Sequence, residues 1–271
     1  MKKLSLVLFS FVCASAVLAD GAGWGSPATT DSREEKSVNR TTQVGSENAN
    51  RRVFDEELRS CTPFELALFA PLQVPSTAYD VKGLRLDLIW GINHDVYGLD
   101  LGLAGYATGN ARGLQITGFN FIDRTFAGAQ FGALANIVSG NAYGLQLAGV
   151  FNYDLDLFMG AQIALVNDNR NFYGMQLGGL NWNWGYSKGF QLSLLNVNEN
   201  EFTGMSIGAV NVGTYVSGAQ FGLVNVATGS MRGLQVGCFN AAEVLQGLQI
   251  GVLNVAANSK LPIFPIVNAR F

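Results

Sequence analysis

The sequence predicts an all-β repeat protein, and three observations lead to that prediction. Short units of alternating apolar and small or polar residues recur along the chain, their first glycines lie 14 to 16 residues apart, and only 14% of the residues are charged. Period-two alternation is typical of a β-strand with one apolar face. Because an average globular domain contains roughly 25% charged residues, an ordinary soluble enzyme is disfavoured.

The N-terminus has the pattern of an export signal. A basic pair, Lys2 and Lys3, precedes an apolar run that ends in small residues before Asp20, which predicts a signal peptide over residues 1–19. The run is too short to span a bilayer as a helix. Residues 20–50 contain few aliphatic side chains, which predicts a disordered linker.

A lead-in segment, residues 51–78, precedes the repeats. We expect a short helix over residues 51–62 and an irregular strand over residues 64–74, interrupted by Pro71. The β-repeat domain then occupies residues 79–271.

Each repeat begins with a glycine, which we number position 0. Positions 1, 3 and 5 are apolar, positions 2 and 4 are mostly glutamine and a small residue, and an asparagine closes the unit, as in GLQIGVLN at Gly247. A degenerate thirteenth copy, LPIFPIVN, occupies residues 261–268. The initiating glycines are Gly83, Gly98, Gly113, Gly128, Gly144, Gly160, Gly174, Gly189, Gly204, Gly218, Gly233 and Gly247.

The strand length favours a closed barrel. Apolar residues flank many units, so strands of ~10 residues joined by tight polar turns are expected, close to the ~9–11 residues of a transmembrane strand. We therefore predict an antiparallel meander of about 13–14 strands that closes into an outer-membrane-type β-barrel. The terminal Phe271 resembles the assembly signal of outer-membrane proteins, so membrane lipid and the outer-membrane assembly machinery are the expected partners.

A β-solenoid with one ~15-residue repeat per coil is the alternative. Identical residues would then stack, with leucine on leucine inside and glutamine on glutamine outside. The uniformity of the repeats suits this architecture, although gene duplication explains the uniformity equally.

The segment APLQVPSTAYDVKGLRLDLIWGINHDVYGLDLGLAG (residues 70–105), followed by serial G-x-Q-x-G-x-x-N units, resembles the spirochaete-type surface-repeat proteins. The resemblance covers about residues 64–271 and implies an exported, surface-associated protein with no catalytic residues to carry over. The copies at Gly128 and Gly144 have an extra residue before the asparagine, so those strands are expected to bulge.

Few residues are candidates for chemistry. His94, the only histidine, is interpreted as a solvated turn residue, because metal sites and general bases need partners. Asp154 and Asp156 are interpreted as turn charges, since calcium requires six or more oxygens. Cys61 and Cys238 could pair if the compartment is oxidising, but Cys238 replaces an apolar repeat residue and is expected to be buried. We expect no catalytic, cofactor or metal site.

The glutamine row is the one constellation with a candidate function. It could line a solute path in a barrel, form an exposed binding ladder on a solenoid, or maintain the fold through amide hydrogen bonds. Trp182, Trp184 and Tyr186 are candidate membrane-interface aromatics, and a local packing cluster explains their proximity equally well. The row comprises Gln115, Gln130, Gln146, Gln162, Gln176, Gln191, Gln220, Gln235 and Gln249.

These observations favour one class of function. Between Gly83 and Phe271 the only lysines are Lys188 and Lys260 and the net charge is −3, which argues against nucleic acid as a partner. We expect an exported outer-membrane or cell-surface protein without catalysis, either structural or passively permeable. The alternative is a surface or periplasmic solenoid that acts as a binding or adhesion module for an unidentified ligand.

Overall fold

The computed structural model describes residues 59–259 and 261–271. The expected signal peptide, the linker and most of the expected helix lie outside these ranges. No helix in the described ranges is long and apolar enough to cross a bilayer. The described strands are β1 (Cys61–Phe69), β2 (Leu72–Val74), β3 (Asp80–Asn93), β4 (Val96–Ala107), β5 (Ala111–Ile122), β6 (Phe126–Val138), β7 (Ala142–Ala148), β8 (Phe151–Asn183), β9 (Ser187–Phe221), β10 (Val224–Ala256) and β11 (Ile263–Arg270).

The repeats stack in parallel. Strands β3 to β10 pair in chain order, and the register places each repeat glycine beside the next, Gly83 on Gly98 and Gly98 on Gly113. Each 14- to 16-residue repeat is therefore one coil of a β-solenoid with about twelve coils. The all-β prediction is confirmed, but the antiparallel meander and the closed barrel are wrong, and the solenoid alternative is the architecture found.

The error came from reading polar segments as hairpin turns. In the structure these segments are bends within a coil, and the chain continues in the same rotational direction. Strand β8, Phe151–Asn183, is 33 residues long and passes through more than one coil without interruption. Neighbouring copies are consequently parallel, and the same position of each copy forms the same row along the stack.

The position-0 glycines have a conformation that other residues rarely adopt. All of them have positive φ, for example +138° at Gly174. A Cβ at Gly174 would lie 1.9 Å from the carbonyl oxygen of Gly160 in the preceding coil. Both the backbone angle and the contact between coils therefore require glycine at this position.

The coil has buried amides inside, together with apolar residues, and has aliphatic side chains on its outer surface. Positions +2 and +7, mostly glutamine and asparagine, are buried, whereas positions +1, +3 and +5, mostly aliphatic, are half-buried or exposed. Position −2, often phenylalanine, and position +9 complete the interior. The expected orientation of the solenoid, with leucine inside and glutamine outside, is thus wrong.

Antiparallel strands close both ends of the described stack. At the start, β2 pairs antiparallel with β1, and this hairpin replaces the single irregular strand expected around Pro71. At the other end, β11 pairs antiparallel with β10, so the degenerate thirteenth copy is a capping strand and not a further coil. In both caps the edge strand runs antiparallel to its neighbour, so the parallel stacking of the coils stops there.

The expected bulge near Gly128 is present. The register between β5 and β6 shifts where Thr117 lies beside Gly132 but Phe119 lies beside Ala135. In the next coil, β7 ends at Ala148 and the chain bends before β8 begins at Phe151. The extra residue is absorbed at the corner of the coil, so the rows on either side stay aligned.

Candidate functional site

The glutamines form a directional hydrogen-bonded ladder inside the solenoid. Apart from those of Gln115 and Gln220, each Nε2 donates to the Oε1 of the glutamine in the preceding coil, as Gln130 does to Gln115 at 2.8 Å and Gln249 to Gln235 at 2.8 Å. Every glutamine of the row is almost completely buried. The row therefore neither lines a lumen nor forms an exposed binding face. Its geometry corresponds to the third expectation, fold maintenance through amide hydrogen bonds.

The asparagines form a second ladder that runs in the opposite direction. Asn196 Nδ2 donates to Asn211 Oδ1 at 2.8 Å in the following coil, and its second hydrogen goes to the main-chain oxygen of Ile207 at 3.0 Å. Because Ile207 belongs to the strand segment that carries the glutamine row, Asn196 joins the two walls of the coil, and most asparagines of the ladder make the same pair of bonds. A buried amide needs such complete pairing.

The first coils replace the ladder with charges. Arg85 and Asp100 stand at position +2 and form two hydrogen bonds, of 2.9 and 2.6 Å. Gln115 Nε2 then donates to Asp100 Oδ2 at 3.0 Å. The ladder, which donates toward the N-terminal end, thus ends on a carboxylate acceptor whose charge is balanced by a guanidinium.

Two further buried carboxyl groups surround this pair. Glu65 and Asp87 lie beside Arg85, and burial raises the pKa of Glu65 to about 7. Burial also raises the pKa of Asp87, against the attraction of Arg85. At Glu65 and Asp87 the cost of burying a charge outweighs the attraction of the single guanidinium, so both carboxyl groups hold their protons to a higher pH than in water.

Asp154 belongs to the interior network and not to a turn. It lies in β8, fully buried, and its oxygens accept hydrogen bonds from Gln146 Nε2 at 3.1 Å and Gln162 Nε2 at 2.5 Å. Desolvation raises the pKa of Asp154 to about 8 despite these donors. Its interpretation as a turn charge is wrong, whereas Asp156 is exposed as expected.

The ladder and the aromatic stack are interrupted at neighbouring coils. Ser206 stands where glutamine is expected, and neither its Oγ nor Gln220 Nε2 has a hydrogen-bond partner. One coil earlier, Ser187 takes the position −2 that Phe172 and Phe202 occupy on either side. The buried apolar residues accordingly form two clusters, one ending at Phe172 and one beginning at Phe202.

The outer surface beside the glutamine strand is continuously apolar. Positions +1 and +3 point outward in every coil, and we name these two rows the front rows. The front rows contain no charged residue. Row +1 comprises Leu84, Leu99, Leu114, Ala129, Leu145, Ala161, Met175, Phe190, Met205, Ala219, Leu234 and Leu248, and row +3 comprises Leu86, Leu101, Ile116, Phe131, Leu147, Ile163, Leu177, Leu192, Ile207, Phe221, Val236 and Ile250.

Within the coils, the most exposed aliphatic side chains lie at the corner after the front rows. Six residues at position +5 are 56–74% exposed, and we name them the corner ridge: Leu88, Leu103, Leu165, Leu194, Leu223 and Val252. An isolated exposed leucine is ordinary, but a contiguous apolar surface larger than a few hundred Å² marks an interaction site. Two rows and a ridge along the whole stack form such a surface.

A row of tyrosines and basic residues borders the front rows. Position −1 is the outward position before the repeat glycine, and the register aligns Lys82 with Tyr97, and Tyr97 with Arg112. This row, which we name the basic row, carries four positive charges and no negative one. Its members are Lys82, Tyr97, Arg112, Ala127, Tyr143, Met159, Tyr173, Lys188, Thr203, Ser217, Arg232 and Gln246.

Acidic residues lie next to the basic row, because the bend leads directly into position −1, where Tyr97 Oη donates to Asp95 Oδ2 at 3.0 Å. The bend between position +9 and the next coil, which we name the bend edge, exposes Asp123, Asp156, Glu199, Glu201 and Glu243, together with Arg124 and Arg170. The indole N–H of Trp182 donates to Glu199 at 2.9 Å, and that of Trp184 donates to Asp168 at 2.7 Å.

The aromatics expected at a membrane interface thus lie beside the bend edge. Two of them are hydrogen-bonded to carboxylates there, and Tyr186 is exposed. The positive tyrosine-rich border was not found from the sequence, because its members are 14 to 16 residues apart.

His94 is largely enclosed, which corrects its interpretation as a solvated residue. Its Nδ1 lies 3.3 Å from Asp95 Oδ1 and 3.7 Å from Asp80 Oδ1. These are metal-binding residue types, but the same oxygens accept hydrogen bonds from the backbone N–H groups of Asn110 and Asp95. We assign the three side chains a structural role in joining the first coils.

An open groove of about 490 Å³ lies at the first cap beside Cys61, Phe64 and Tyr79. Cys61 and Cys238 are both free and exposed, which corrects the expectation that Cys238 would be buried. Cys238 stands at position +5, in line with the corner ridge.

Comparisons with protein-family models, with curated proteins and with solved structures found no match for this chain.

Proposed function

We propose that this chain is an exported, non-catalytic β-solenoid that acts as a binding module, and that its binding partner is the lipid surface of the outer membrane. The observation that carries the proposal is the apolar outer surface formed by the front rows and the corner ridge. The signal-peptide pattern of residues 1–19 and the resemblance to surface-repeat proteins support export.

The hydrogen-bonded amides inside the coils explain how the chain can fold with an apolar outer surface. In a soluble protein, apolar side chains are placed inside because they have no other partner. Here paired amides share the interior with the apolar residues of positions −2 and +9, and the aliphatic side chains of positions +1, +3 and +5 lie outside, where their burial remains available for binding. A fully buried leucine contributes roughly 1.5–3 kcal/mol.

Lipid fits this surface better than a second copy of the chain. The apolar rows extend over the front, around the corner and on to the back, where Leu180 packs beside Leu195 and Val210 beside Val224. One flat protein interface would cover only one of these sides. A fluid acyl layer can contact the front and the corner at once, with the polar bend edge left in water.

Substitution of the corner ridge tests the proposal. We expect the full chain to co-float with phosphatidylcholine vesicles, and the double variant Leu194→Ser, Leu223→Ser to lose roughly tenfold in partitioning for each leucine, about 1.4 kcal/mol each. The matched control, Ser139→Ala with Thr228→Ala at the bend edge, should bind like the wild type. Both positions of the variant are exposed, so the fold should persist, as circular dichroism would show.

Cys238 offers an independent readout. With Cys13 and Cys61 replaced by serine, an environment-sensitive fluorophore on Cys238 should shift to the blue when vesicles are added, because position +5 then enters the acyl layer. An unchanged spectrum, or a stable soluble dimer that ignores vesicles, would contradict the proposal.

A further inference from the structure

We propose that Asp80, His94 and Asp95 form a binding site for a divalent transition-metal ion, with zinc as the best match, which ties the first coils together. The proposal specifies the structural role of these three side chains and does not depend on lipid binding. It departs from the expectation that the chain has no metal site. Asp80 is 14 residues before His94 in the sequence, and the register of the coils brings them together.

Three ligand atoms of the kinds that zinc prefers converge at this bend. His94 Nδ1 lies 3.3 Å from Asp95 Oδ1 and 3.7 Å from Asp80 Oδ1, and one ligand atom of each residue lies within 4.8 Å of the other two. Zinc binds imidazole nitrogen and carboxylate oxygen at about 2.0–2.2 Å, so the ligand atoms around one ion are roughly 3–4 Å apart. The observed separations are therefore close to those of a zinc site.

His94 offers a nitrogen without another partner. Among the described residues its Nδ1 is buried and makes no hydrogen bond, and Asp95 Oδ1, although 3.3 Å away, is not in hydrogen-bond geometry. A buried polar atom without a partner is rare in proteins and calls for a ligand. Because two carboxylate oxygens lie beside Nδ1, a cation is the ligand that fits all three atoms.

The negative charge of the two aspartates is not needed for their hydrogen bonds to the main chain. Asp80 Oδ1 accepts the N–H of Asp95, and Asp95 Oδ1 accepts that of Asn110. Asn110 and Asn171 make the same contact with the next coil through an amide oxygen. Asparagine would therefore join the coils as well. A carboxylate oxygen that accepts one hydrogen bond also keeps a second lone pair for a metal ion.

The surroundings of the site favour a bound cation. Asp80 and Asp95 are only 7% and 6% exposed, and two buried carboxylates side by side repel each other. Arg59 Nη1 lies 4.0 Å from Asp80 Oδ1 on a side chain that is one-third exposed, so it offsets this repulsion only in part. Gly109 leaves the adjoining space without a side chain, since a Cβ there would lie 2.2 Å from Asp95 Oδ1 and 2.8 Å from His94 Cε1.

Zinc titration of matched variants tests the proposal. Thermal unfolding and hydrogen exchange of the full chain are measured with EDTA and with Zn²⁺, after serine has replaced the three cysteines to exclude binding by thiolates. The test variants are His94→Gln and Asp95→Asn, the second of which keeps an oxygen for the N–H of Asn110. The matched control is Asp156→Asn, which removes an exposed carboxylate.

We expect Zn²⁺ at 100 times its dissociation constant to raise the unfolding midpoint of the first coils by roughly 5–10 °C. Hydrogen-exchange protection should rise in residues 79–110 and stay unchanged in residues 233–256. Asp156→Asn should respond like the parent chain. His94→Gln and Asp95→Asn should bind zinc at least tenfold more weakly, and Asp95→Asn should melt no lower than the parent chain in EDTA.

Three results would overturn the proposal. The first is a parent chain whose unfolding is the same in zinc and in EDTA. The second is a zinc response that survives in both test variants, because the ion would then lie elsewhere. The third is an equal loss of the response in Asp156→Asn, which would show that net charge and not the three ligands decides binding.

Discussion

At the scale of the residue, the repeat glycine shows how strictly the contact between coils limits side-chain choice. Gly174 combines a positive φ with a carbonyl oxygen 1.9 Å from where a Cβ would be. Gly179, in the same coil, does not have a positive φ, and a Cβ there would lie 3.0 Å from Leu165 O, which is 1.1 Å farther than at Gly174. Ala209 already occupies the corresponding position +5 two coils later.

We therefore expect Gly174→Ala to destabilise the fold by more than about 2 kcal/mol, since backbone strain and a clash with main-chain atoms add. Gly179→Ala should change the free energy of unfolding by less than about 1 kcal/mol. Urea denaturation followed by circular dichroism compares the two variants. Equal destabilisation by both would contradict the assignment of position 0 as the special glycine.

Asp154 gives the interior a pH dependence whose sign follows from its raised pKa. The folded chain holds the proton up to about pH 8, whereas in the unfolded chain the carboxyl ionises near 4. Between these values the unfolded state binds fewer protons, so stability falls as pH rises, by about 1.4 kcal/mol per pH unit for one group. Glu65 and Asp87 act in the same direction.

We expect Asp154→Asn to remove one such contribution and to make the chain more stable than the wild type at pH 8. Asparagine is the residue that position +9 carries in the next three coils, at Asn169, Asn183 and Asn198, so the network can accept it. Asp156→Asn, at an exposed site in the same strand, is the control. The measurement is the free energy of unfolding between pH 4 and pH 8. A slope unchanged in Asp154→Asn, or lost in Asp156→Asn, would refute this account.

At the scale of the element, the glutamine ladder depends on an unbroken row. Ser206 is too short to connect Gln191 with Gln220 and leaves buried polar groups without partners. Such an unpaired group costs about 1–3 kcal/mol. The interruption is thus a weakness that a single substitution can repair.

Ser206→Gln should stabilise the chain by about 1–2 kcal/mol, because it restores two amide hydrogen bonds. Ser217→Gln introduces the same side chain in the half-exposed basic row, where Gln246 already stands, and should leave stability unchanged. Thermal unfolding of the two variants checks the difference. If both variants melt like the wild type, the ladder contributes less than its geometry indicates.

Alternation along the repeats was sufficient to predict strands and two distinct faces, but not which face is inside. The rule that apolar residues are buried assigns Leu248 to the interior and Gln249 to water, and the structure reverses both. A glutamine can be buried only if a hydrogen-bond partner, here the glutamine at the same repeat position of the neighbouring coil, lies next to it. Identical glutamines at position +2 of successive copies were the available signal, because only parallel stacking places them side by side.

The location of the basic row could not be predicted without the register. Lys188 and Arg232 are 44 residues apart in sequence, yet both stand at position −1. Their alignment depends on the bulges that keep 14-, 15- and 16-residue coils in register. Once the coils are known to be parallel, the row can be read from the residue before each repeat glycine.

At the scale of the whole molecule, stability is expected to divide at the serines. In a solenoid each coil contacts only its neighbours, so a weak interface separates cooperative units. Ser187 interrupts the apolar stack and Ser206 the glutamine ladder, and the two buried clusters lie on either side.

We expect two unfolding transitions in the wild type, and two levels of hydrogen-exchange protection, divided between residues 187 and 206. The double variant Ser187→Phe, Ser206→Gln should unfold in one transition, since both interactions then continue through the junction. Ser139→Ala with Thr228→Ala, remote from the junction, is the control and should keep two transitions. A single transition in the wild type would show that the main-chain hydrogen bonds alone couple the halves.

The opposite directions of the two amide ladders bear on how such a chain can lengthen. In an α-helix all peptide dipoles add, and charge accumulates at the termini. Here each new coil contributes a glutamine dipole and an asparagine dipole that oppose one another, so the axial field does not grow with coil number. Duplication of a coil in the gene therefore adds outer surface without an electrostatic penalty, and the charge at the two ends of the stack sets no limit on the number of coils.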